Sequence, residues 1–129
     1  MNTRRVTDLK AFLPAKDLAV SKQFYLDLGF REAWDSGDAC ELEIENHRFI
    51  LTGVHVKEHA ENCMMSLNVE DADAWWAHIT RRGLQAKYNL ATARPPALQP
   101  WGLRVLYLSD PSGVLWHIAD RPSADRPSA

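Results

Sequence analysis

Apolar positions follow two periods along the chain, and the order of those periods occurs twice. The stretch "LKAFLPAKDL" reads as a short apolar strand, after which Asp17 stands where a helix N-cap belongs. Val20, Phe24, Tyr25 and Leu28 then recur at helical spacing, and Gly29 follows as the residue that ends the helix. Three strand-like stretches come next, "FREAWDS", "ACELEIE" and "RFILTG", separated by polar turns around Ser36-Gly37-Asp38 and Glu45-Asn46-His47. The middle one sets Leu42 and Ile44 against Glu41, Glu43 and Glu45, which predicts a half-buried strand with one wet face.

The second half repeats this order. "CMMSLNV" predicts a strand and Asp71 a cap, with Ala72, Trp75, Trp76 and Ile79 at helical spacing and Gly83 as the stop. Asp17 and Gly29 are 12 positions apart, as are Asp71 and Gly83. "LQAKYN", "GLRVLYLS" and "GVLWHIAD" predict three more strands, with a polar, proline-containing loop, "LATARPPALQPWG", inserted after the first. A βαβββ unit used twice accounts for the chain: an α+β domain over residues 1–120, with module one over about 8–54 and module two over about 62–120. Residues 119–129 hold Ala-Asp-Arg-Pro-Ser twice, and the tail from 121 to 129 has nothing to bury and is expected to be disordered.

Composition narrows the function classes. A chain of 129 residues with 46% apolar content is large enough for one real core. Net charge is −2 and the sequence pI is about 6.2, so no basic field attracts nucleic acid or an anionic membrane. No apolar run approaches a membrane span, and "MNTRRVTDLK" lacks the apolar segment of a secretory signal, so a cytoplasmic location is expected. Cys40 and Cys63 suit reduced thiols better than a stapled scaffold. Nucleotide, phosphate-loop, serine-hydrolase and HExxH motifs are all missing.

Three stretches together, "DLAVSKQFYLDLGF", "VEDADAWWAHITRRGL" and "QPWGLRVLYLSDPSGVLWHI", resemble the vicinal oxygen chelate superfamily, which includes glyoxalase I, extradiol dioxygenases and bleomycin resistance proteins. The resemblance covers residues 8–120 and implies two curved sheets around a cleft. In the metal-dependent members, one position on the first and one on the last strand of each module hold a divalent ion that acts as a Lewis acid. Those positions fall here at Lys10, Ile50, Met64 and His117. Protonated lysine cannot ligate, isoleucine has no donor, and a thioether is a soft ligand ill-matched to Mn, Fe(II), Ni or Zn. The resemblance therefore implies a cleft with no metal and no cofactor.

Several residues carry two readings. His117 is either a strand histidine that packs and makes one hydrogen bond, or a ligand contact drawn from the residue type that changes charge near physiological pH. Lys10 is either a solvent-facing lysine or a cleft cation. Trp75, Trp76 and Trp116 fall on faces expected to meet the core. Trp101, after Gln99-Pro100 and before Gly102, is expected to stack on a ligand or close over the cleft, and Trp34 to face it as well. Glu41 and Glu43 either line the cleft, favouring a ligand with a cation and an aromatic surface, or pair with Arg48 on the next strand. His55, His59 and Cys63 are spaced as three donors on one helix face would be, without an evident fourth.

The leading expectation is a small-molecule binding protein of the bleomycin-resistance type, sequestering an amphipathic compound without a metal. Its ligand-binding residues are Trp101, His117, Glu43, Phe12, Ser66, Trp34 and Lys10, and it is a homodimer. The near-neutral charge argues against bleomycin itself, a cationic drug. The alternatives are a metal-dependent lyase, isomerase or dioxygenase with a displaced site, or with His117 as general base near Glu43, and a partner-binding domain with no ligand of its own.

Overall fold

The computed structural model describes residues 3–122; most of the predicted tail, 123–129, lies outside the described residues. Module one runs β1 (Phe12–Pro14), α1 (Leu18–Leu28), β2 (Arg31–Asp35), β3 (Ala39–Ile44) and β4 (His47–Thr52). A short helix, α2 (Lys57–Glu61), occupies the linker. Module two runs β5 (Met64–Asn68), α3 (Ala72–Arg81), α4 (Leu84–Tyr88), β6 (Ala93–Leu98), β7 (Arg104–Ser109) and β8 (Leu115–Asp120). Sheet one has the order β1-β4-β3-β2 and sheet two β5-β8-β7-β6, so the two modules share one topology. In each, the first strand is parallel to the last and the other neighbours are antiparallel.

Both long helices start where the caps predict. The Asp17 carboxylate accepts from the Val20 amide at 3.2 Å, and that of Asp71 accepts from the Asp73 and Ala74 amides. Gly29 ends α1 at φ 127°, a conformation that a side chain would strain, and its amide returns to the Tyr25 and Leu26 carbonyls.

Module two departs from the expected pattern after α3. Residues 84–88 form a helix rather than a strand, because Gly83 at φ 61° turns the chain and lets helical pairing restart. Leu84 is fully buried and Tyr88, one turn on, is half-buried. The second strand of module two comes instead from "ARPPAL", inside the predicted loop. Two prolines are tolerated there because β6 is an edge strand and its pairing with β7 shifts between Arg94 and Ala97.

The inner faces of the two sheets meet. Phe49 of β4 and Trp116 of β8, which hold equivalent places in the two modules, pack at 5.6 Å between ring centroids, and Tyr25 and Phe30 complete the cluster at 5.0 to 5.7 Å. Edge-to-face packing of this kind contributes beyond the area it buries. The Tyr25 hydroxyl donates to Asp110 at 2.6 Å and accepts from the Trp116 indole at 2.9 Å. Asp110 also accepts from the Ser112 and Val114 amides, which closes the Asp-Pro-Ser-Gly turn. Burial raises the Asp110 pKa, with these bonds acting against the rise. Trp75 and Trp76 are half-buried against the same core.

A second clasp joins α1 to module two. Asp27 accepts from Gln23, Lys87, Tyr88 and Arg82, and its carbonyl meets the His78 ring at 2.8 Å. Burial alone would raise the Asp27 pKa, but Lys87, Tyr88 and Gln23 outweigh it and hold the group at about 2. A carboxyl with a lowered folded pKa stabilises at neutral pH and loses that contribution as pH falls. Acid titration of the wild type should therefore show a loss of stability between about pH 4 and pH 2 that Asp27→Asn lacks. Trp116→Ala should cost about 3 to 5 kcal/mol in chemical denaturation, the range for a buried aromatic.

Candidate ligand-binding faces

Because strand side chains alternate, packing Phe49 and Trp116 inward sends Ile50 and His117 outward. On the outer face of sheet one, Phe12, Ile50, Glu41 and Trp34 lie opposite one another across β1, β4, β3 and β2. The next row along holds Arg48, Glu43 and Arg31. Phe12 and Trp34 are exposed, at 67% and 41%. Glu41 is only 2% exposed, and Lys10 reaches it directly while also lying 3.4 Å from Asp8.

Glu43 is equally committed. Arg31 lies 2.6 Å from one of its oxygens and Arg48 2.5 Å from the other, while Arg48 also stands 3.7 Å from Glu41. Burial disfavours the Glu43 charge, and the two guanidiniums more than offset this, holding its carboxyl below the usual carboxylate range. Of the two readings of these glutamates, the structure shows the pairing with Arg48. The Glu41 and Glu43 oxygens that lack a well-directed hydrogen bond are the ones in contact with Lys10 and Arg48.

The equivalent row on sheet two has different chemistry. Ser66, His117, Tyr107 and Arg94 lie opposite one another across β5, β8, β7 and β6. His117 packs edge-on against Tyr107 at 4.8 Å, and its buried Nε2 has no hydrogen-bond partner among the described residues. A groove of about 490 Å³ runs along this face, lined by Arg94, Tyr107, Thr92 and Gln99 and by the apolar Pro95, Ala97, Val105 and Leu115. Smaller grooves lie on sheet one beside Phe12, Pro14 and Thr52, and at the seam where Arg48 and Phe49 meet Ser66 and Asn68.

The expected residues thus divide between two faces. Lys10, Phe12, Trp34 and Glu43 belong to sheet one, and Ser66 and His117 to sheet two. Trp101 sits at the tip of the β6–β7 hairpin, in a turn closed from the Gln99 amide to the Leu103 carbonyl at 2.8 Å. Its ring is 58% exposed, beside the large groove rather than in the lining. Tyr107 and Arg94 are the residues that sequence reasoning missed. Alternation in "RVLYLS" put Tyr107 on the face of Val105, but only the register with β8 sets it beside His117. Of the donors in the linker, only His59 lies within α2, and no group of three metal donors occurs among the described residues.

Residues 7–118 match the family model of the Glyoxalase/Bleomycin resistance protein/Dioxygenase superfamily. The chain belongs to this superfamily. Among solved structures of the superfamily fold, a bleomycin resistance determinant encoded on the transposon Tn5 is 22% identical, with a TM-score of 0.73 over 89% of this chain and 98% of that one. A bleomycin-binding protein from Streptomyces verticillus, complexed with copper(II)-bleomycin, is 21% identical, with a TM-score of 0.70 over 92% and 100%. A lactoylglutathione lyase from Agrobacterium tumefaciens is 14% identical, with a TM-score of 0.63 over 90% and 95%. No curated protein matches the chain significantly.

The superfamily's metal-holding positions do not fit a metal here. The Lys10 ammonium is engaged by Glu41 and Asp8, Ile50 has no donor, and Met64 presents a thioether at 64% exposure. His117 stands as the single borderline ligand, which is short of the three protein ligands a catalytic centre uses. Lys10 instead acts as a fixed counter-charge for a buried carboxylate. Lys10→Met should lower the melting midpoint, and the double variant Lys10→Met/Glu41→Leu should recover most of the loss, since an apolar pair replaces a buried ion pair at little cost.

Proposed function

We propose that the protein sequesters a small amphipathic molecule on these outer faces, without a metal, as a cytoplasmic homodimer. The observation that carries this reading is the pairing of retained grooves and exposed rings with the loss of donors at three of the four superfamily metal positions. A groove of about 490 Å³ is within the size range of small-molecule sites. The bleomycin-binding relatives show that the fold supports such binding, and Phe12, Trp34 and Trp101 supply exposed aromatic surface here.

The exposed apolar residues of the two faces support dimerisation. The inner sides of the sheets form one shared core, and the exposed Phe12, Trp34 and Met64 leave apolar surface open on the outer sides. A second copy that lays one outer face over the other would close a cleft and cover Phe12, Trp34 and Met64. Residues 3–9 add an exposed arm with Val6 and Leu9 at 83% and 91%, suited to reach that copy. Free thiols at Cys40 and Cys63 suit a reducing compartment, and no helix among the described residues is long and apolar enough to cross a membrane.

The enzyme alternative finds less support. Glu43 is held by Arg31 and Arg48 on sheet one, whereas His117 lies on sheet two, so one chain does not join them as a base pair. Three measurements test the proposal. Light scattering should give about twice the 14.6 kDa chain mass, and a concentration-independent monomer contradicts the dimer. Chelator treatment should leave the melting midpoint unchanged, whereas a stoichiometric metal lost together with an activity contradicts the binding role. A compound found by thermal-shift screening should quench tryptophan emission, and Trp101→Ala should weaken it by about 1 to 3 kcal/mol, as expected for one aromatic anchor.

A further inference from the structure

We infer that the molecule bound on sheet two carries an anionic group, a carboxylate, gripped by Arg94 and Tyr107 with its apolar body along the groove floor. This rests on the reading of the outer faces as small-molecule sites, and it names the ligand class that they select. The two faces are opposite in their electrostatic accounting. On sheet one the outward arginines and the lysine just before β1 all have carboxylate partners: Lys10 meets Glu41, and Arg31 and Arg48 meet Glu43. On sheet two none of the outward residues of β5, β7, β8 and β6 is acidic, and Arg94 makes no ion pair or side-chain hydrogen bond among the described residues.

An exposed arginine alone is ordinary. What distinguishes Arg94 is its row, in which Tyr107, His117 and Ser66 continue the line of hydrogen-bonding groups across the sheet, with the buried His117 Nε2 lacking a hydrogen-bond partner among the described residues. Guanidinium binds a carboxylate through two parallel N–H donors, and such charge-assisted bonds exceed neutral ones in strength. The Tyr107 hydroxyl is a further donor in the same groove. Pro95, Ala97, Val105 and Leu115 offer the apolar floor, so the fitting molecule is a compact apolar or aromatic acid. A cationic ligand would meet Arg94 with no acid to offset it. This reverses the cationic ligand that Glu41 and Glu43 suggest in the sequence.

The test uses three probes that share one aromatic body: 1-naphthaleneacetate, the neutral 1-naphthaleneacetamide and cationic 1-naphthylmethylammonium, each titrated calorimetrically against the full chain. The acid should bind roughly tenfold or more tighter than the amide, with the ammonium weakest. Arg94→Gln should bring the acid down to the amide's affinity without changing the amide, while Arg81→Gln on α3, outside the groove lining, should keep the preference. A thermal melt of each variant checks that it is folded. If the amide or ammonium binds as tightly as the acid, the anion inference fails and the small-molecule reading stands. An acid preference that survives Arg94→Gln places the anion elsewhere and also overturns the inference. Binding by none of the three up to millimolar concentration overturns the inference and the reading of the groove together.

Discussion

The contact between Phe49 and Trp116, bridged by Tyr25, is the constraint from which the functional surface follows. Equivalent aromatic residues from two copies of one module meet across a shared core, and the Tyr25 hydroxyl ties the Trp116 indole to the buried Asp110 carboxylate. Once those side chains face inward, the two-residue period of a strand leaves no freedom for their neighbours. Ile50 and His117 must face outward, and with them the rows across all eight strands. The faces proposed to take up ligand are consequences of how the modules dock.

Duplication supplied two equivalent rows, and their chemistry has diverged. On sheet one the row Phe12, Ile50, Glu41 and Trp34 is largely apolar, and its one carboxylate is buried under Lys10. On sheet two the row Ser66, His117, Tyr107 and Arg94 is polar and basic. A pair of such faces suits an amphipathic molecule better than two copies of either would. The superfamily metal positions lie on these same faces, but a lysine locked to a glutamate and an isoleucine give sheet one no ligand to offer.

Much of this was legible in the chain. Asp17 with Gly29 and Asp71 with Gly83 mark both long helices, because caps and stops act through local hydrogen bonds and backbone conformation. Alternation around Leu42 and Ile44 marked β3, and Trp116 was legible as core. The stretch 84–98 was not legible, since a short helix held by Leu84, Tyr88 and the distant Asp27 takes the place of a strand. A proline-bearing edge strand then resembles a loop until its partner is known. The same gap hid Arg94 and Tyr107 from the site, for their proximity to His117 is a matter of register between strands. Glu41 and Glu43 were visible, but whether they faced a ligand or Arg31, Lys10 and Arg48 depended on side-chain contacts that only the fold defines.

Docking of the modules makes the outer faces the proposed place of ligand uptake. Backbone amide chemical-shift mapping with any compound that raises the melting midpoint tests it directly. Perturbations should concentrate at Ser66, Arg94, Tyr107 and His117 and on the outer residues of sheet one, with the exposed surface of α3 around Arg81 unchanged. Perturbations confined to the helices or to the α1–α3 crevice beside Leu28 and Trp75 would contradict it.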